Sequence, residues 1–201
     1  MDQITSFFQG SLSQRSRVLM VVATLILLPC IFLPTWTITL HAPQYPDGLQ
    51  MQIYPHTVGG DVHEVNILNH YIGMEEIEAD EFPEFRFIPF FILRFFLFAL
   101  LTALVGWVAI AAIGWIDFVV FGAVMLYTLR HWLWEYGNNL APDAPLSIAP
   151  FTPSFIGGTQ VGQFTVSSWP AAGAVLMAIA GAIGPLIVLY EWHRRRSGQS
   201  K

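Results

Sequence analysis

The run IPFFILRFFLFALLTALVGWVAIAAI, residues 88–113, followed after Gly114 by WIDFVVFGAVMLYTLRHWLWEY, residues 115–136, decides the fold. Each stretch exceeds the roughly 20 apolar residues that cross a hydrocarbon core. Two more runs reach that length, about Val18 to Trp36 and about Trp169 to Tyr190. The chain is 54% hydrophobic and 11% charged, where a soluble domain carries about a quarter charged residues. Four spans therefore take most of its 201 residues and leave two loops, about 37–87 and 137–168.

Charge sorting orients these spans. Arg15 and Arg17 precede the first; Arg194, Arg195, Arg196 and Lys201 follow the fourth. The excess of Lys and Arg on cytoplasmic flanks puts both termini in the cytoplasm and both loops outside. Spans two and three then form an αα-hairpin with its tight inner turn near Gly114. Trp36, Trp132, Trp134, Tyr136 and Trp169 fall at the outer interface as an aromatic belt.

The first outer loop carries strand and helix signals. Thr37-Ile38-Thr39-Leu40 alternates, as does Leu49-Gln50-Met51-Gln52-Ile53-Tyr54, and Pro46-Asp47-Gly48 between them is a turn signal. A β-hairpin is expected there. Asp61 and Glu64 have the spacing of an N-cap and its third helical residue, and Gly73 suits a C-terminal stop. A short helix therefore spans the intervening residues. The second outer loop, with Pro142, Pro145, Pro150 and Pro153, reads as extended, and Gln163–Val166 as a strand that joins the hairpin. The expected fold is an all-α membrane protein: one membrane domain over 1–201, four transmembrane helices, and a small extracytoplasmic cap of β-hairpin plus short helix. In the fourth span Ala174, Ala178 and Ala182 recur every four residues beside Gly181 and Pro185, a small-residue face suited first to packing inside the bundle and otherwise to docking a partner.

Composition also excludes. No basic nucleic-acid surface is present. The single cysteine, Cys30, forms neither a disulfide framework nor a metal pair, and Pro29 before it with an apolar run after it argues against lipidation. No nucleophile elbow, HExxH or Cys-His signature supports an enzyme. Membrane haem needs facing axial ligands, and His131 alone lies near a span.

The candidate site lies on the short helix. His70 and Met74 are four apart and share a helical face unless Gly73 ends the helix between them; His63 lies two turns before His70. An imidazole and a thioether suit a soft ion such as Cu(I), and Met51 or His56 would add donors. The plainer alternative is a polar network in which Asn66, Asn69 and His70 bond the second loop, with Tyr71 beside them. His131 and Glu135 are four apart near the outer end of the third span. With Arg130, and with Arg94 paired to Glu135, they make a second polar network; Asp117 is expected near the inner turn, facing water. The acidic run Glu75–Glu84 is expected to be solvated and to attract a basic partner.

Three motifs, Asn66-x-Leu68-Asn69-His70-Tyr71-Ile72-Gly73-Met74, Ala42-Pro43-Gln44-Tyr45-Pro46-x-Gly48-Leu49 and Glu135-Tyr136-Gly137-x-Asn139-Leu140-x-Pro142, together resemble an uncharacterised family of small multi-span bacterial membrane proteins. That family is encoded with nitrous oxide reductase maturation (copper-handling) genes and beside cytochromes c. The resemblance implies a multi-pass protein of the bacterial inner (cytoplasmic) membrane. Its role would be accessory: maturation or copper supply of a periplasmic copper enzyme of the nitrous oxide reductase type. Copper, or a periplasmic copper chaperone, reductase or cytochrome c, would bind the outer cap. Many members carry histidine where this chain has Asn138, which weakens a copper site built from both loops; the resemblance sets His56 and His63 apart as peculiar to this chain and so shifts the ligand set toward His70 and Met74, with His63 or Met51 assisting. The alternative is a structural or anchoring subunit of a respiratory membrane complex with no bound metal. A transporter would need a polar path that the first and fourth spans lack.

Overall fold

The structure, a computed structural model, describes residues 3–199. The chain divides into a bundle unit (residues up to Ile31, Pro89–Ala123 and from Val175 onward) and a sheet unit (Phe32–Ile88 and Val124–Ala174). Among the described residues four helices are long and apolar enough to cross a membrane.

In the bundle unit a short α1 (Gln3–Phe8) precedes α2 (Gln14–Leu27), which tightens into a 3-10 turn over Leu28–Ile31. Pro29 lacks the N–H that would continue the α-helix. The next long helices are α4 (Ile88–Val105), α5 (Val108–Asn138) and α6 (Ala172–Gln199). The hairpin between α4 and α5 turns at Gly106-Trp107, not near Gly114. Gly106 has φ +74, and a Cβ there would strike the Arg17 guanidinium. Gly114 instead lies inside α5 against Phe98. At 31 residues α5 is about 46 Å long, well beyond a hydrocarbon core of about 30 Å.

Small residues do line the bundle interior, but they are not the alanine stripe. Ala180 is buried, and a Cβ on Gly181 or Gly184 would fall 2.5 Å from Phe118 or Trp115. Ala178 and Ala182 are exposed. Glycine permits the closer approach, so it occupies the packing face.

The sheet unit is larger than the expected hairpin. Five antiparallel strands run in the order β3-β2-β1-β5-β4, with β1 Trp36–Ala42, β2 Tyr45–Ile53, β3 Val58–Gly60, β4 Gly157–Val161 and β5 Phe164–Pro170. Residues around Gln163–Val166 do add to β1, pairing Leu40 with Val166 and Ile38 with Ser168. Alternation sets the two faces. Leu40, Leu49 and Phe164 pack with Val65 and Leu68 of helix α3 (Val62–Ile72), while Thr37, Thr39 and Gln50 point to the other face. Trp36 closes one end, donating from Nε1 to Ser168 Oγ at 2.7 Å. It is buried, as is Tyr136, so these two belong to the protein interior; Trp134 and Trp169 remain exposed.

The hairpin reverses at Pro43-Gln44, because Ala42 pairs with Tyr45. Pro46-Asp47-Gly48, expected as the turn, instead bulges out of β2 opposite His41, with Gly48 at φ +83. Gly60 leaves no room for a side chain. Its φ is +84, and a Cβ would lie 2.1 Å from the Gln50 carbonyl oxygen. Gly60→Ala is expected to cost about 3 kcal/mol, read as a lowered melting midpoint in detergent. Gly158→Ala, with its nearest neighbour at 3.9 Å, should change it by no more than about 0.5 kcal/mol.

Candidate functional site

Helix α3 is held at both ends by backbone contacts. The expected capping box does not form: Asp61 makes no side-chain cap, and its Oδ2 accepts from Gln50 N–H at 2.8 Å while its own N–H donates to Gln50 O. Asp61 thus anchors the helix start to β2. Gly73 stops the helix as expected, in the left-handed conformation, and Met74 N–H donates to Asn69 O at 2.9 Å. This closure resembles the usual glycine C-cap, and it takes Met74 off the helical face of His70.

The inward side of α3 is Val65, Leu68, Asn69 and Ile72, all buried. The outward side is His63, Ile67, His70 and Tyr71, all exposed. His63 and His70 lie on one face, about 10 Å apart along the axis. Met51 is buried, two residues on from Leu49 on the core face of β2, so it fills the core and is remote from solvent. Met74, half-buried just past Gly73, is the thioether nearest to His70 in sequence. Among the described residues no three His, Cys, Asp or Glu side chains gather as a metal site. Of the expected donors, Met51 is withdrawn into the core, while His63, His70 and Met74 keep some exposure.

The asparagines do not bond the second loop. Asn66 brackets Ile77, its Oδ1 accepting from Ile77 N–H at 2.9 Å and its Nδ2 donating to Ile77 O at 3.2 Å. Asn69 Nδ2 donates to Glu75 O. The second loop meets α3 through backbone instead: Ala141 N–H donates to Gly73 O at 2.7 Å and Leu146 N–H to Tyr71 O at 2.9 Å. Asn66→Ala should cost about 1–2 kcal/mol and speed proteolysis across Glu75–Glu84. Unchanged proteolysis would mean that the Ile77 bracket does not hold that segment.

The acidic run is anchored at its far end. Phe82 packs edge-on to Trp132 (centroids 4.8 Å) and stacks with Tyr136. Tyr136 OH donates to Glu81 Oε2 at 3.1 Å, and Trp132 Nε1 to Glu84 Oε1 at 3.3 Å. Glu75, Glu76, Glu78 and Asp80 stay exposed. Arg130 and His131 are exposed as well, and Glu135 accepts from Asn139 Nδ2. The expected network around His131 and Glu135 is thus reduced to this local bond and a His131–Trp132 ring contact. Asn138 is engaged by the second loop, donating to Phe151 O and Thr152 Oγ1, both at 3.1 Å.

Arg94 pairs with Asp117, not Glu135. Its Nη2 lies 2.8 Å from Oδ1 and 2.7 Å from Oδ2, with the guanidinium over the Phe91 and Phe95 rings. Moving the turn to Gly106 places Asp117 nine residues into α5, about 14 Å along the helix. It therefore lies inside α5, more than two helical turns from the Gly106 reversal.

A second polar centre, for which the sequence gives little warning, is Glu191 near the far end of α6. It is fully buried and accepts from Ser13 N–H (2.7 Å), Ser16 Oγ (2.6 Å) and Arg194 Nε (3.1 Å). Beside it Arg195 donates to Phe7 O and Ser11 O, and Arg17 to Leu104 O and Val105 O. Several of the basic residues that set the expected orientation thus also tie helix ends together. A lone acid between an apolar run and Arg194–Arg196 is the available signal. The bundle also holds a cavity of about 60 Å³ lined by small and aromatic residues of all four long helices. Its polar atoms, Thr102 Oγ1 and Trp115 Nε1, already donate to Phe98 O and Gly181 O.

Together these features fit a multi-pass membrane protein with four apolar helices and a separate antiparallel sheet unit. No protein-family model matches the chain, and no curated protein matches it.

Proposed function

We propose that this is a non-enzymatic membrane accessory protein whose sheet unit docks an extracytoplasmic partner through helix α3. The observation that carries the reading is the outward face of α3. His63, Ile67, His70 and Tyr71 are exposed and make no side-chain hydrogen bond among the described residues, on a helix fixed at both ends. Uncovered aromatic and apolar side chains on a rigid element suit recognition. The neighbouring exposed acids, Glu75, Glu76, Glu78 and Asp80, favour a basic partner.

In this reading the membrane is the bacterial inner membrane, both termini are cytoplasmic, and the partner carries copper. The support is the resemblance to proteins encoded with nitrous oxide reductase maturation genes, together with the soft donors of His70 and Met74. The pair is an incomplete site, so a copper chaperone, a reductase or a cytochrome c would bring the remaining contacts. Cu(I) titration against a competing chelator checks the metal part. Binding that falls at least about tenfold in both His70→Ala and Met74→Ala, with unchanged melting, supports transfer through this face. Affinity unmoved by either substitution removes these residues from the site.

The second reading is an anchoring subunit of a respiratory membrane complex with no bound metal. It is favoured by Met51, which serves the core, and by Asn66 and Asn69, whose amides bond the 75–77 segment. Intact protein that binds no Cu(I) yet co-purifies with a cytochrome would select it.

A further inference from the structure

An ion pair within two apolar helices, several residues inside the start of each, has an unusual exposure. The Arg94 and Asp117 side chains keep 42% and 32% of their surface open, although ionisable residues within spans normally face a bundle interior or a water-filled path. The pair is also incompletely bonded. A guanidinium has five N–H donors, and the carboxylate engages Nη2; Nε is buried without a partner, and Nη1 has none among the described residues. Each Asp117 oxygen retains acceptor capacity.

The surroundings form a surface. On α4, Phe90, Arg94, Leu97 and Leu101 recur at intervals of four, three and four, which is one helical face; on α5, Ile113, Asp117 and Val120 do the same. The apolar members are all exposed: Phe90 70%, Leu97 53% and Ile113 60%. In lipid such a face gains nothing from burial of apolar surface, so association there is driven by packing and by polar contacts. The central pair supplies the polar contacts.

We propose that this face of the α4–α5 hairpin is the contact between two copies of the chain in the membrane. The face is self-complementary. The patch carries one cation and one anion, free N–H donors beside free acceptor lone pairs, and no net charge. With the two-fold axis passing between the paired residues, each charge meets its complement on the other copy: Arg94 Nη1 of each copy reaches Asp117 of its mate. A basic or acidic partner helix would leave one charge of the pair opposed to its like; an apolar one would leave the donors unmet. The four charges then close a ring screened from lipid by Phe90, Leu97, Ile113 and Val120. The proposal rests on α4 and α5 being membrane spans, as the proposed function assumes.

The test uses full-length protein in lipid vesicles. Photobleaching step counts at high lipid dilution are compared for the native chain and for R94L/D117L, which removes both charges and keeps the helices apolar. Cysteine cross-linking is run alongside in a Cys30→Ser background, with Leu97→Cys on the face and Leu186→Cys exposed on α6. The expected result is two-step bleaching for the native chain, a shift to one-step for R94L/D117L with dimer affinity weakened about tenfold or more, and cross-linking at position 97 but not 186. Native protein that is monomeric at every dilution, or R94L/D117L that dimerises as well as the native chain, overturns the proposal. Resistance to alkaline extraction is measured on the same vesicles. Protein that extracts overturns the span reading itself, whereas protein that stays inserted and monomeric overturns the dimer alone.

Discussion

Asp117→Leu alone should sharply reduce the amount of inserted, folded protein, and Arg94→Leu alone should do the same. Each single change leaves one unpaired charge within an apolar helix, where Arg94 and Asp117 now neutralise each other at 2.7 Å. Stranding a charge in that setting costs about 3 kcal/mol. The double variant removes the stranded charge, so it should recover most of the loss and give a coupling energy of about 2–3 kcal/mol in the cycle. The readout is detergent-extractable folded protein together with its melting midpoint. Effects that simply add would mean that the pair contributes nothing as a pair. The same double variant is the one expected to insert yet fail to dimerise, so the two properties separate within one series of variants.

The other large effect is expected at Glu191. Its carboxylate is fully buried and satisfies the Ser13 N–H, the Ser16 hydroxyl and the Arg194 guanidinium. Glu191→Ala strands these donors near the junction of α2 and α6 and should cost about 3 kcal/mol. Glu191→Gln keeps the shape and one acceptor oxygen, and should cost less. Ser16→Ala removes one donor and should cost about 1–2 kcal/mol. A melting series in detergent ranks the three. Equal loss for alanine and glutamine would mean that the charge, and not the set of hydrogen bonds, holds the junction.

Long-range pairing explains which parts of this architecture can be read from the chain. The four apolar helices follow from hydropathy, because the property that marks each is local. Strands β1 and β2 follow from alternation over Thr37–Leu40 and Leu49–Tyr54, and β5 from its β-branched and aromatic residues. Strand β4 does not: Gly157-Gly158-Thr159-Gln160-Val161 has weak strand propensity and sits in a proline-rich loop. It forms because Val161-Gly162-Gln163-Phe164 is a two-residue hairpin, with Gly162 at φ +59. Pro46-Asp47-Gly48 misleads in the opposite sense. Its local signal is a turn, but pairing of Ala42 with Tyr45 moves the reversal three residues earlier.

The polar sites divide in the same way. That Gly73 ends α3 is legible, since a glycine after a periodic apolar run is a strong stop signal. The partners of Asp61, Asn66 and Arg94 are not. Asp61 has the spacing of a cap but bonds Gln50, eleven residues away; Asn66 bonds Ile77 and Arg94 bonds Asp117. The Arg94 pairing hinges on where the α4–α5 hairpin turns. A shift from Gly114 to Gly106 moves Asp117 about two turns deeper. Glu191 is masked by the basic run that follows it. The face that His63 and His70 share is legible, since they are seven apart and two helical turns bring them into line.

The proposed function puts helix α3 outside the membrane and both termini in the cytoplasm. Side-specific thiol labelling in sealed vesicles tests it most directly. In a Cys30→Ser background, Tyr71→Cys on the exposed face of α3 is compared with Gln9→Cys and Arg196→Cys near the termini, all three being exposed positions. The account predicts that a membrane-impermeant maleimide labels position 71 from one side and positions 9 and 196 from the other. Labelling of all three from the same side would contradict it.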